Sequence, residues 1–186
     1  MKYALRTATL EDIPILQGLI GRSIHGLGSG DYTREQIEAA LTGAFGVDTA
    51  LIRDETYFVI ESAAGVIAAC GGWSQRKTLF GSDSRPGRDE ARLDPAIAPA
   101  QIRAFFVDPP HARQGLGRML LERSEADALK AGFRALELMA TLPGRRLYQE
   151  FGFVPGVEID YPLPGGLAIR FVPMHKVIGG ARAAAE

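Results

Sequence analysis

The sequence predicts an α/β domain whose mixed β-sheet is flanked by helices. Three observations carry this prediction. Short β-prone runs bounded by Gly, Pro and Ser recur along the chain, from Lys2–Thr7 to Leu167–Val172. Between them lie stretches whose apolar residues return every three or four positions. One segment, Phe106 to Leu121, reads without a break as strand, proline stop, Gly-rich turn and helix. At 186 residues, 46% of them hydrophobic, the chain suits one compact domain over 1–178 with a flexible tail over 179–186.

Lys2–Thr7 forms a first strand, and Thr9 with Glu11 and Asp12 opens a helix carrying Ile13, Leu16, Leu19 and Ile20 on one face until Gly26–Gly30 ends it. Thr33 begins a second helix through a capping box with Glu35 and Gln36, and Ile37, Ala40 and Leu41 supply its apolar face. Tyr57–Glu61 and Val66–Trp73 are two β-rich runs joined by Ser62–Gly65, the pattern of an antiparallel hairpin. Ser74–Pro99 lacks periodicity and carries Arg76, Lys77, Arg85, Arg88 and Arg92 among Gly, Pro and Ser, so it reads as a long loop.

Gln101–Val107 is the next strand, stopped at Asp108-Pro109-Pro110 because proline lacks the amide donor a ladder needs. The helix from Gly115 to Lys130 turns Leu116, Leu120 and Ala128 inward and Glu122, Arg123, Glu125 and Asp127 outward, and Gly132 stops it. Ala135–Ala140 is a strand, Arg145–Glu150 a short helix, and Phe153–Tyr161 and Leu167–Val172 a final pair.

A formal net charge of −1 gives no clustered basic footprint for nucleic acid or an acidic membrane, so a small ligand is expected and neither of those partners. No leader is evident at the N-terminus and no run approaches the roughly 20 apolar residues of a bilayer span, which points to the cytoplasm. Cys70, the single cysteine, lies in an apolar run and reads as a small buried hydrophobe. His25, His111 and His175 are dispersed, so no metal site is expected.

The chemistry sits in Phe106-Val107-Asp108-Pro109-Pro110-His111-Ala112-Arg113-Gln114-Gly115-Leu116-Gly117-Arg118. Successive amides in such a turn, followed by the positive end of a helix, make an anion site, and Gly115 and Gly117 let the backbone approach phosphate oxygens. There is no Lys-Ser or Lys-Thr after the glycines, so this is not a P-loop, and the third glycine of a dinucleotide fingerprint is missing.

This segment, with Leu147-Tyr148-Gln149-Glu150-Phe151-Gly152-Phe153 downstream, resembles the GNAT superfamily of acyl-CoA N-acyltransferases from the first strand to about Lys176. In that family a strand ending in Val-x-Pro leads to an Arg/Gln-x-x-Gly-x-Gly/Ala loop; here Ala112 departs from the first motif position. The resemblance implies a centrally splayed sheet, with the strand Arg103–Val107 leaving Ala135–Ala140 so that a pantetheine arm pairs with backbone at Phe106 and Val107. It implies acetyl-CoA as co-substrate, held at Arg113, Gln114, Gly115, Leu116, Gly117 and Arg118. It also implies Tyr148 as the general acid protonating the leaving thiolate.

The expected reaction is direct attack by a primary amine of a small molecule or peptide. Acceptor-site candidates carried over from the family are Tyr32, Trp73, Arg76, Phe80, Tyr161 and the Pro162–Gly166 loop. Gln101 occupies a position where the family often has a glutamate base, and glutamine cannot serve as one. A non-catalytic acyl-CoA sensor and a partner-binding protein remain alternatives, and exposed strand edges make a homodimer plausible.

Overall fold

The computed structural model describes residues 2–179. Strand β1 (Tyr3–Thr7) is followed by a 3-10 turn over Leu10–Asp12 and by helices α1 (Ile13–Gly28), α2 (Arg34–Ala40) and α3 (Thr49–Arg53). The hairpin β2 (Tyr57–Ser62) and β3 (Ile67–Ser74) precedes a long loop, then β4 (Ala100–Val107), α4 (Leu116–Lys130) and β5 (Ala135–Thr141). Helix α5 (Arg145–Glu150) and strands β6 (Val154–Pro155), β7 (Ile159–Pro162) and β8 (Ala168–Val177) complete the described chain. The tail expected over 179–186 lies, from 180 on, outside the described residues.

The strands form one sheet in the order β1-β2-β3-β4-β5-β8-β6, with β7 also on β8. All neighbours run antiparallel except β4 and β5, which are parallel and pair only at Ala100↔Leu136 and Gln101↔Glu137. On one face α1 and α2 bury Leu16, Leu19, Ile20 and Ile37 against Tyr57, Val59 and Phe171. On the other, α4 buries Leu116, Leu120, Leu121 and Ala128 against Phe58, Ile60, Trp73 and Phe133. The alternation of the strands sorts these residues between the two cores.

The expected start signals act as local chemistry requires. The Thr33 hydroxyl accepts from the Gln36 amide at 3.3 Å while the Gln36 side chain accepts from the Thr33 amide at 2.8 Å, and this reciprocal cap opens α2. Three expectations change. Helix α3, begun where Asp48 accepts from the Ala50 amide at 3.1 Å, was not foreseen because its five residues are too short for a periodic signal. The run Phe153–Tyr161 is two strands rather than one, interrupted over 156–158 where the Gly156 amide donates to the Pro173 carbonyl. Strand β4 is not regular: Ala104 sits at φ 56°, and the register against β3 slips between Cys70 and Gly72.

That bulge is clamped. The Tyr57 hydroxyl donates to the Ala104 carbonyl at 2.9 Å, and the Phe105 ring presses on Gly71, where an added Cβ would stand 2.6 Å from it. At Gly72 a Cβ would lie 2.1 Å from the Thr56 carbonyl oxygen, so β2 and β3 need bare backbone here. A second clamp is ionic. Fully buried Asp48 meets Arg103 of β4 at 2.7 Å and Arg88 of the long loop at 2.7 Å, tying that loop to β4.

Two outcomes follow. Gly72→Ala, whose Cβ meets backbone that cannot move aside, is expected to lower unfolding free energy by about 1–3 kcal/mol in urea titration, as overpacking does. Asp48→Asn strips Arg103 of its carboxylate and leaves Arg88 with Glu90 alone, and it is expected to cost about 3–5 kcal/mol in the same measurement, the scale of a broken buried ion pair.

Candidate active site

After Gln101↔Glu137 the two central strands part, and the gap widens into a cavity of about 530 Å³. Its walls are the C-terminal half of α1, Phe105–Val107 of β4, the turn into α4, and Gly144–Phe151 around α5. A second, smaller chamber of about 70 Å³ opens on the far side of the splay, between Phe45, Phe80, Arg103, Met139 and Phe171. Phe105, Phe106, Thr141 and Tyr148 line both. The two spaces therefore meet at a wall of four residues.

The mouth of the larger cavity is built from main chain. Arg113 (φ 59°) and the N-cap Gly115 (φ 82°) adopt left-handed conformations that turn successive amides into one concavity. The first amide of this run to donate within the protein is that of Met119, to the Gly115 carbonyl at 3.0 Å. The amides from Arg113 to Arg118 have no protein acceptor among the described residues. A helix start always leaves such donors, and with the helix dipole behind them they suit phosphate oxygens. Arg113 and Arg118 line the same mouth, so charge as well as amides faces an anion there.

The two glycines serve different needs. Around Gly115 a Cβ would touch nothing within 4 Å, so its requirement is the positive φ alone. A Cβ at Gly117 would stand 2.7 Å from Leu147 Cδ2, so this glycine lets α5 close onto α4 and carry Tyr148 to the gap. Gln114 departs from the expectation for it. Its side-chain carbonyl accepts from Tyr3 (3.0 Å) and from Lys2 at the edge of β1, and it does not line the cavity. Only its backbone remains available to an anion.

Tyr148 packs edge-on to Phe153 (centroids 5.8 Å apart) and to Phe105 (6.3 Å). Burial, with no hydrogen bond to offset it, raises its phenol well above the ordinary tyrosine value, so the group is protonated throughout the neutral range. A protonated phenol at the wall between the two spaces has the chemistry to donate a proton there. Of the β4 backbone groups expected to face an arm, the Val107 amide lies in the gap but donates to Ser23 Oγ at 3.2 Å, a partner from α1 that no sequence pattern signalled.

The acceptor candidates separate. Tyr32 lines the larger cavity and is a strut, its hydroxyl donating to the Arg170 carbonyl and accepting from the Leu142 amide, each at 2.8 Å. Phe80 lines the small chamber, and Tyr161 stands against it edge-on with centroids 4.9 Å apart. Trp73 and Arg76 line neither space. Trp73 points to the α4 face, where its ring meets Phe133 at 5.8 Å in the core. Arg76 is bidentate to Asp54, with both contacts at 2.6 Å, and is a strut of the long loop. The Pro162–Gly166 loop lines neither space.

Gln101 is buried and donates to Glu137 of β5, on the same face as Met139 and Thr141. Thr141 and Arg103 belong to the site and were not singled out. Strand alternation from Glu137 could have found Thr141, but nothing local marks Arg103.

The remaining titratable groups do other things. His111 hydrogen-bonds the Tyr3 hydroxyl at 2.9 Å, and His25 lies 3.4 Å from Glu38. Burial pushes the Cys70 thiol up to about 12, which removes it as a nucleophile. No group of three His, Cys, Asp or Glu side chains among the described residues could hold a metal ion. Nor is any helix among them long and apolar enough to cross a membrane.

Comparison with known proteins agrees with this geometry. The family described as "Acetyltransferase (GNAT) family" matches residues 29–153, while no curated protein matches. A GCN5-related N-acetyltransferase from Rhodopseudomonas palustris shares 19% identity at a TM-score of 0.69, over 96% of this chain and 97% of that one. The ribosomal-protein-S18-alanine N-acetyltransferase of Escherichia coli shares 18% at 0.60, over 99% of each chain. A putative acetyltransferase from Salmonella typhimurium, solved with its cofactor acetyl-CoA, shares 15% at 0.64, over 100% and 99%. Matched by the family over more than half its length and folded like these proteins nearly end to end, the chain belongs to the acetyltransferase (GNAT) family.

Proposed function

We propose that the protein is an N-acetyltransferase that moves the acetyl group of acetyl-CoA to a primary amine of a small molecule or peptide by direct attack. The observation that carries this reading is the four-residue wall, Phe105, Phe106, Thr141 and Tyr148, at which a long anion-mouthed cavity meets a small chamber. A donor with a pyrophosphate at one end and a thioester at the other needs this shape. The Salmonella protein solved with acetyl-CoA and the Escherichia coli protein named for an alanine acceptor support the donor and the amine class.

On this reading the pyrophosphate takes the amides of Arg113–Arg118, and the arm lies along β4, drawing the Val107 amide from Ser23. The amine comes from the small chamber and attacks the thioester carbon. As the carbon–sulfur bond breaks, Tyr148 gives its proton to the departing sulfur, and the proton lost by the nitrogen goes to water. Because burial raises the Tyr148 pKa, its acid form persists as pH rises through neutrality, whereas a free amine becomes more abundant. Turnover should therefore climb with pH, without an alkaline fall set by Tyr148 near neutrality.

Tyr148→Phe is expected to lower kcat by about 10²–10⁴-fold with unchanged affinity for coenzyme A, because it removes only the proton donor. Steady-state thiol release and calorimetry check this, and equal turnover by both proteins would reduce Tyr148 to a packing residue. Gly115→Ala, which forces a Cβ into a left-handed turn at about 1–2 kcal/mol, is expected to weaken coenzyme A binding by roughly tenfold. No calorimetric binding of coenzyme A by the unmodified protein at millimolar concentrations would remove the donor and the proposal together.

A further inference from the structure

The small chamber is lined by one guanidinium and by no carboxylate. Its ionisable lining consists of Arg103 and Tyr148. Arg103 is 3% exposed; its Nη1 meets Asp48 at 2.7 Å and its Nη2 donates to the Gly81 carbonyl at 2.6 Å. Its Nε is buried and has no partner among the described residues. Asp48 also answers Arg88 at 2.7 Å, while Glu90 reaches Arg88 at 2.9 Å and Arg76 at 3.7 Å, so Asp48 is the carboxylate that pairs with Arg103. A third guanidinium, that of Arg85, stacks 4.3 Å from the centroid of Phe80, a wall residue, and 5.8 Å from that of Tyr161. Arg85 has no carboxylate partner among the described residues.

A buried N–H without an acceptor is costly, and a ligand that supplies the acceptor recovers that cost. A guanidinium in the lining also disfavours a second cation beside it. Resting on the acetyltransferase reading above, we propose that the acceptor is a small aminocarboxylate, an amino acid or a molecule with the same head, whose carboxylate accepts from Arg103 Nε, beside the Phe80 wall on which Arg85 stacks, while its amine points to Thr141 and Tyr148. At roughly 10–15 Å³ per water, a chamber of about 70 Å³ holds about five to seven water-sized groups, the size of a small amino acid rather than a polyamine. Burial brings the Arg103 pKa down to about 10, which still leaves it charged at neutral pH.

The test is thiol release from acetyl-CoA with free amino acids, their amides and simple diamines as acceptors. Free acids are expected to exceed their amides in kcat/KM by roughly tenfold or more, and diamines to fall below both, as when a site built to bond a group rejects the analogue lacking it. Arg85→Gln is expected to raise KM for the acid several-fold at unchanged KM for acetyl-CoA, narrowing the preference for acid over amide. Arg103→Lys keeps the charge beside Asp48 but removes the Nε–H and should act in the same direction, with coenzyme A calorimetry confirming the fold. Amides or diamines that match or exceed the acids would overturn the aminocarboxylate assignment and leave the acetyltransferase standing. No release with any amine, in a protein that binds coenzyme A, would overturn both.

Discussion

β4 accompanies β5 for only two residue pairs, and the departure has a local cause. An extra residue in β4 puts Ala104 in a left-handed conformation, with its carbonyl held by the buried Tyr57 hydroxyl. A bulge bends its strand and raises the local twist, and the strand that bends here is the one joining the two halves of the sheet. The remaining β4 edge faces a cavity instead of β5, and the ladder groups left over become available to a ligand or, at Val107, to Ser23.

Everything else in the site is placed relative to that opening. The α4 helix starts at its mouth, so unpartnered amides and a helix dipole face inward without a dedicated cationic side chain at every position. Leu147 packing over Gly117 fixes α5 on α4 and thereby sets Tyr148 against Phe105, the residue the bulge itself displaces. Tyr148 and the strand irregularity are thus mechanically linked, because one side of the wall is the bulge and the other is the tyrosine.

The electrostatics divide along the same line. The larger cavity presents amides and two arginines toward an anion, while the smaller presents Arg103, whose carboxylate partner Asp48 lies outside the lining. In a low-dielectric interior these groups act at short range on whatever enters, whereas the same arginines on an open surface would be screened by water.

Much of this was legible along the chain, because it rests on signals acting within a few residues. Apolar spacing placed the helices at Ile13–Gly28 and Leu116–Lys130, the Thr33 cap opened α2, the prolines after Val107 stopped β4, and the Gly-x-Gly turn marked the amide cradle. Contacts between distant elements were not legible. Trp73 and Phe80 are alike in sequence as aromatic residues near a loop, yet one faces α4 because the hairpin's register sets its face, and the other reaches the small chamber because the loop after β3 folds back over it. Arg76 and Arg103 are both single arginines, and what separates a loop strut from a chamber wall is whether Asp54 or Asp48 lies opposite once the sheet has formed. Local sequence thus determined which elements form and where the phosphate-type turn lies. Tertiary structure alone decided the bulge, the partners of the arginines and the wall where the two spaces meet, since each depends on residues far apart in the chain.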